Sequence, residues 1–311
     1  MRAFIFPGQG SQTVGMGKAL ADASVAARHV FEEVDEALKQ NLFRLMTEGP
    51  EEGLRLTENA QPAIMANALA VLAVLEKEGG IRLTDKADFV AGHSLGEYSA
   101  LAAADAFDIT TTARLLKQRG QAMQAAVPVG EGTMAAILGL DLEAVEAIAA
   151  DAAQGDVCQA ANDNAPGQVV ISGSVAAIER AVSLAKERGA RRAVMLDVSA
   201  PFHCSLMQPA AEVMAKALKA MPPRQPVIPV FANVSATAES DPKKITELLI
   251  EQITGRVRWR ESIAAMAEAG VDEFVEFGGK VLSPMIRRIA PDSKAISLVT
   301  PADIENFAAH L

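Results

Sequence analysis

Aromatic side chains are scarce in this sequence: 4% of its 311 residues, with one Trp and one Tyr. Proteins that hold nucleic acid by stacking need aromatic platforms beside basic stripes. Positive charge is in deficit too, because 29 Lys and Arg face 39 Asp and Glu, for a formal charge of −10. Together the two deficits exclude nucleic acid as an expected partner. Cysteine is nearly absent. Cys158 and Cys204 are too few for a disulfide framework, and neither sits in a Cys-x-x-Cys pair, so no structural metal is expected. Long apolar runs are also missing. The longest, Pro62 to Leu75, contains Asn67 and falls short of the roughly 20 residues that span a bilayer. The opening Met1-Arg2-Ala3-Phe4-Ile5-Phe6-Pro7-Gly8 turns before a signal-peptide core could form. The expectation is a cytoplasmic protein with no membrane contact.

What is present is an ordinary globular balance, half apolar and 22% charged, with the apolar half mostly Ala, Val, Ile and Leu. The length allows two domains, or one large domain with an insertion, and can bury a full core without staples. Ala3 to Phe6, ended by Pro-Gly, reads as a buried first strand. A Gly-rich loop over 8–17 follows, then a helix with Val30, Val34 and Leu38 on one face and Glu32, Glu33, Asp35 and Glu36 on the other. Further helices are expected from about Pro62 to Glu78 and from Thr110 to Ala126. Between them, Asp88 to Gly96 reads as a strand turning sharply into an Ala-rich helix.

The texture changes at Val127-Pro128-Val129-Gly130. Strands at Met134–Leu140, Val157–Ala161, Gln168–Ser172 and Ala193–Val198 alternate with helices at Leu142–Ala153 and Val175–Arg188. The run Asn162-Asp163-Asn164-Ala165-Pro166-Gly167, dense in turn formers, joins the middle strands. The order β-α-β-β-α-β is that of a ferredoxin-like unit. After Ser199 the α/β texture resumes, with helices at Met207–Ala220 and Ile245–Thr254 and strands at Ile228–Asn233 and Glu273–Phe277. The expected fold is α/β, a hydrolase-like, mostly parallel sheet with helices on both faces, plus an inserted ferredoxin-like α+β small domain. Residues 1–128 and 200–311 would form the large domain and 129–199 the insertion.

Gly92-His93-Ser94-Leu95-Gly96 is a Gly-x-Ser-x-Gly with a strand before it and a helix after it, the setting of a nucleophile elbow. The glycines let strand and helix approach closely, and the serine hydroxyl projects at a helix N-terminus that favours a developing anion. An ordinary strand-to-helix turn is the plainer alternative. Such a serine needs a base, and only four histidines exist. His29 lies on an amphipathic helix among carboxylates, His93 adjoins the serine and should point away from it, and His310 is one residue from the C-terminus. His203, in the loop Ser199-Ala200-Pro201-Phe202-His203-Cys204, remains. No acid stands out as a third member: Asp197 is near in sequence but as readily structural, and a backbone carbonyl could serve. The loop Gly8-Gln9-Gly10-Ser11-Gln12 fails the dinucleotide fingerprint, because Thr13 stands where its third glycine belongs. It could still aim an N–H at an oxyanion. Arg119 closes the helical run Leu115-Leu116-Lys117-Gln118-Arg119 before Gly120; a solvated surface role competes with binding of a substrate carboxylate.

Together these segments resemble the malonyl-CoA:acyl carrier protein transacylases, the family of fatty-acid and polyketide acyltransferase domains. The resemblance rests on Phe6-Pro7-Gly8-Gln9-Gly10-Ser11-Gln12, Gly92 to Tyr98, Gln118-Arg119-Gly120 with Met123-Gln124, Asn162 to Gln168, Pro201-Phe202-His203, and Gln252 through Val257-Arg258-Trp259. They follow the family's order over nearly the whole chain. It implies that Ser94 carries the malonyl group as an ester and that His203 is its base. The N–H groups of Gln9 and Leu95 would form the oxyanion hole, and Arg119 would pair with the malonyl carboxylate. Gln252 would orient His203 through its main-chain carbonyl, while Asn162 matches a residue near the site. The implied partners are malonyl-CoA and holo acyl carrier protein, with no cofactor. Phe202 before His203 matches the polyketide and animal-type malonyl-selective pattern, where many stand-alone bacterial enzymes have a small polar residue; tolerance of methylmalonyl stays open. Carrier proteins are acidic as a class, so docking against a charge of −10 requires a local basic patch, expected at Arg191, Arg192, Lys280, Arg287 and Arg288. Two rivals stand beside this reading. One is a serine esterase or thioesterase using water as acceptor; the other is an inactive interaction module.

Overall fold

A computed structural model describes residues 1–311. Ten strands form two separate sheets. In chain order they are β1 (Arg2–Phe6), β2 (Phe89–Gly92), β3 (Gly132–Leu138), β4 (Cys158–Ala165), β5 (Gln168–Ser174), β6 (Arg192–Met195), β7 (Val230–Phe231), β8 (Ala238–Glu239), β9 (Glu273–Phe277) and β10 (Lys294–Leu298). The first sheet has the order β10-β9-β1-β2-β7-β8 and is parallel except for the terminal β7–β8 pair. Its central strands are apolar on both faces, as a sheet covered twice by helices requires. Phe4 and Phe6 face one core with the helices Thr57–Lys77 and Ile109–Ala125, while Ala3 and Ile5 face another with Trp259–Glu268 and Ser283–Ile289. The chain leaves β1 toward β2 on one side and returns to β9 on the other. That reversal puts the carboxyl ends of β1 and β2 at a topological switch point, where open α/β sheets open a crevice.

The second sheet, β4-β5-β3-β6, is antiparallel throughout and carries the helices Leu142–Ala153 and Val175–Glu187 on one face, around its own apolar core. This is the strand order of a ferredoxin-like unit, so both the mostly parallel sheet and the α+β unit read from the sequence are present. Asp108 and Asp141 accept the N–H groups of Thr111 and Ala144, which sets the starts of two of the expected helices.

Several details differ from the sequence reading. The helix expected from Pro62 begins at Thr57, because the Leu56 carbonyl accepts from Asn59 and Ala60 and closes a turn ahead of the proline. The early start brings Thr57 and Gln61 to the site described below. The helix expected over Thr110–Ala126 is present as Ile109–Ala125, so Arg119 lies inside it and does not close it; a Cβ on Gly120 would lie 2.5 Å from Glu58 Cα, so this glycine is a packing contact between helices, not a stop. The stretch from Asn162 to Ala165 is strand, not turn, and only Pro166-Gly167 reverses the chain. Tertiary partners override the local turn preference: Asp163 pairs with Arg260, Asn164 Oδ1 lies 2.7 Å from His93 Nε2, and Asp163 N–H donates to the Val257 carbonyl. Finally, the strand expected over Ile228–Asn233 shrinks to Val230–Phe231, because the Asn233 N–H is engaged by the Glu97 carboxylate.

No helix is long and apolar enough to cross a membrane. The apolar Thr57–Lys77 helix is instead buried along most of its length inside the first core.

Candidate active site

Steric necessity builds the elbow. A Cβ on Gly92 would lie 1.8 Å from the Gly96 carbonyl oxygen, and one on Gly96 would lie 2.3 Å from that of Phe6. Only hydrogen at both positions lets β2 turn straight into the helix Gly96–Ala103 while pressed against the end of β1. Between the glycines Ser94 has φ +53°, a left-handed conformation that costs a side-chain-bearing residue strain and is held by its surroundings. Asn233 does the holding. Its Oδ1 accepts the Ser94 N–H at 2.8 Å, and its Nδ2 donates to the Gly92 carbonyl at 2.7 Å.

Ser94 Oγ lies 2.7 Å from His203 Nε2. His203 Nδ1 lies 2.8 Å from the main-chain oxygen of Gln252. A carbonyl can only accept, so Nδ1 carries the proton and Nε2 is free to accept from the serine. Burial, reinforced by the nearby Arg119 guanidinium, pushes the His203 pKa down to about 3. The imidazole is therefore neutral in the resting protein. His203 itself has φ +57°, so both ends of the pair sit on left-handed backbone. Asp197 is not part of this arrangement: its side chain is 87% exposed and pairs with Arg55 at 2.5 Å. His93 points away to Asn164, and His29 and His310 lie exposed elsewhere.

Arg119 is not a surface residue, being only 1% exposed. Its Nη1 donates to Gln61 Oε1 at 2.7 Å, and its Nη2 donates to Gln252 Oε1 at 2.8 Å and Ser94 Oγ at 3.1 Å. The Gln252 amide nitrogen faces Ser94 O, Glu97 Oε2 and Asn233 Oδ1. One glutamine thus orients the histidine through its backbone and the arginine through its side chain. A second line of contacts runs from Gln61 Nε2 to Thr57 Oγ1 at 2.9 Å and from Thr57 Oγ1 to Gln9 Oε1 at 3.2 Å. The backbone N–H groups of Gln9 and Leu95 have no partner within the protein. Both residues line the same cavity of about 480 Å³ as Ser94, His203, Arg119 and Asn162. Leu196 and Val198 after β6, with Met285 of the helix Ser283–Ile289, give that cavity an apolar wall, so it lies between the two sheets' units.

All seven residues singled out from the sequence, Gln9, Ser94, Leu95, Arg119, Asn162, His203 and Gln252, therefore meet at one cavity or in the shell behind it. Asn162 is held there by backbone pairing to Val257. Gln61, Asn233 and the buried carboxylate of Glu97 were not assigned roles from sequence. The one local signal for Gln61 is a polar residue in an otherwise apolar helical stretch; Asn233 carries none. The basic patch lies apart from the nucleophile. Arg191, Arg192, Lys280, Arg287 and Arg288 are all exposed, with Arg288 donating to Gln168 Oε1 at 2.8 Å near the β4–β5 turn.

A nucleophilic serine, a neutral histidine base, two free N–H groups and a buried guanidinium on this α/β scaffold define an acyl-transferring site. The family model described as acyl transferase domain matches residues 3–280, and the chain belongs to that family. Within it, the similarity runs to malonyl CoA-acyl carrier protein transacylases. The protein of that name from Bacillus subtilis (strain 168) is 47% identical over 305 residues, covering 97% of this chain and 95% of the relative. The solved acyl-carrier-protein-S-malonyltransferase from Bartonella henselae is 54% identical, with a TM-score of 0.97 over 99% of this chain and 98% of that one. A malonyl-transacylase solved in complex with its type II PKS acyl-carrier protein is 38% identical, with a TM-score of 0.96, covering 100% of this chain and 99% of that one.

Proposed function

We propose that this chain transfers the malonyl group of malonyl-CoA to the phosphopantetheine thiol of acyl carrier protein through a malonyl ester on Ser94, in the cytoplasm and in the service of fatty-acid synthesis. The observation that carries the reading is the buried Arg119 guanidinium, bonded to the Ser94 hydroxyl it shares with His203. An esterase acting on uncharged acyl groups has no use for a cation there.

In this reading the neutral His203 takes the Ser94 proton as the oxygen attacks the thioester carbonyl. The N–H groups of Gln9 and Leu95 receive the developing oxyanion, and the protonated His203 is steadied by the Gln252 carbonyl at Nδ1. His203 returns its proton to the departing coenzyme A thiolate. The carrier thiol then attacks the ester with His203 again the base, and Ser94 is regenerated. Arg119 holds the malonyl carboxylate, and Asn162 borders the acyl group. The two substrates and the Ser94–His203 pair together supply every reacting group, so the reaction needs no cofactor. The division into 1–128 with 200–311 and 129–199 fits this chemistry, because each part supplies one wall of the cavity.

Intact-mass measurement after mixing with malonyl-CoA tests the route. The expected result is one malonyl adduct, mapped to Ser94 and discharged by holo carrier protein. Discharge by water as fast as by the carrier thiol would make the protein a thioesterase, and no adduct on a turning-over enzyme would overturn the covalent path.

A further inference from the structure

Glu97 is the one carboxylate inside the polar cluster behind Ser94, and it is only 2% exposed. Its Oε2 accepts from the Asn233 N–H at 3.0 Å and from Gln252 Nε2 at 2.8 Å. The same Gln252 amide offers Oε1 to Arg119. Glu97 and Arg119 are therefore the two ends of one amide bridge. No carboxylate touches Arg119 directly; its partners are Gln61, Gln252 and Ser94, all neutral.

The surroundings leave this pair alone with each other. Arg119 is the only charge acting on Glu97. Tyr98 on its own helix is held protonated by burial, and His93 and His203 on either side of Ser94 are held neutral by burial. The helix Pro242–Thr254 contributes the amide of Gln252 and the segment after β7 that of Asn233. The buried faces of β1, β2, β7 and the helices Thr57–Lys77 and Gly96–Ala103 bring no other charged group.

Above the pKa of Glu97, before an acyl group binds, one buried anion balances one buried cation. Seating a carboxylate-bearing acyl group against Arg119 places two carboxylates around a single guanidinium in a dry cluster, where like charges cannot both stay ionised at low cost. The substrate carboxylate touches the guanidinium, whereas Glu97 reaches it only through Gln252. Burial has already raised the Glu97 pKa to about 7, so it is the group that yields. We propose that Glu97 takes up a proton from solvent when a carboxylate-bearing acyl group is bound at Arg119, so that recognition of such a group is proton-linked and recognition of an uncharged acyl group is not. The inference rests on the malonyl reading above and adds a specificity-tuning residue to it.

The test compares acylation by malonyl-CoA and acetyl-CoA across pH. Their kcat/KM ratio cancels titration of Ser94 and His203, which both substrates need. In the wild type the ratio is expected to fall up to about tenfold per pH unit above about 7. In Glu97→Gln, a mimic of the protonated acid, it is expected to be flat and to stay high at alkaline pH. A second readout needs no variant, in case Glu97→Gln fails to fold. Formation of the malonyl-enzyme, followed by calorimetry in buffers of different ionisation enthalpy, should take up about half a proton at pH about 7, and formation of the acetyl-enzyme none. A malonyl adduct formed without proton uptake, or a flat wild-type ratio, overturns the inference and leaves the transfer reaction standing. Absence of any malonyl adduct overturns both.

Discussion

At the residue scale, Arg119 is the costliest feature of the site. A fully buried guanidinium surrounded by neutral acceptors forfeits much of its hydration, and the hydrogen bonds it donates to Gln61 and Gln252 return only part of that. Its Nε has no partner at all. Such an arrangement suits an anion that arrives with the substrate, since a charge-assisted, fork-shaped contact to a carboxylate is geometry-selective where a lysine contact would not be. Arg119→Ala should accordingly lower kcat/KM for malonyl-CoA by about 100-fold or more, the scale of losing one partner of a desolvated charge pair. Turnover of acetyl-CoA should hold or rise, because the variant also removes an unneeded positive charge beside His203. Parallel assays with the two thioesters decide it; equal losses would mean that Arg119 serves the fold and not the carboxylate.

At the element scale the β1 end, the β2 end and the helix Gly96–Ala103 form one tightly apposed unit, and the glycines are its contact points. Gly92→Ala would force a methyl group into the Gly96 carbonyl, with backbone on both sides and no flexible side chain to yield. The expected cost is about 3 kcal/mol, the upper end for overpacking. Ser94 should lose reactivity toward a fluorophosphonate before the fold is lost, so labelling should fall further than the thermal midpoint suggests; unchanged labelling would mean that the elbow tolerates slack. This unit was legible in the sequence because its constraints are local: small residues at fixed spacing between a strand and a helix. The β-α-β-β-α-β order of the second sheet was legible for the same reason, through periodicity. The supports behind the elbow were not. Asn233 reaches Ser94 across 139 positions of sequence, and Gln61 reaches Arg119 across 58, from elements whose patterns mark them only as buried. Residues Asn162 to Ala165 show the opposite failure, a strong local turn signal overruled by an ion pair and backbone bonds to a distant segment. Histidine scarcity made His203 reachable by elimination, but its orienting group is a main-chain carbonyl, which no side-chain pattern can reveal.

At the scale of the whole molecule, the net charge of −10 works against an acidic carrier protein, and the long-range field alone would slow their encounter. Arg191 precedes β6 and Arg192 opens it, and the strand leads to the cavity-lining Leu196 and Val198. Lys280, Arg287 and Arg288 flank Val281 and Met285, which line the cavity from the other unit. The five exposed cations thus sit on chain segments that line the cavity from both units, which a thiol on a flexible arm must reach. Arg288 is tied to the β4–β5 turn, whereas Arg191 and Arg287 make no ion pair and are free to meet a partner. Reversing those two, Arg191→Glu with Arg287→Glu, should lower kcat/KM for carrier protein by about tenfold or more at low salt, and the deficit should narrow as ionic strength rises toward 1 M and the Debye length shrinks to about 3 Å. The rate of malonyl ester formation on Ser94 should stay within about twofold, because neither residue lines the cavity. A deficit that persists at high salt, or an equal loss in the ester-forming step, would place the docking surface elsewhere on the rim.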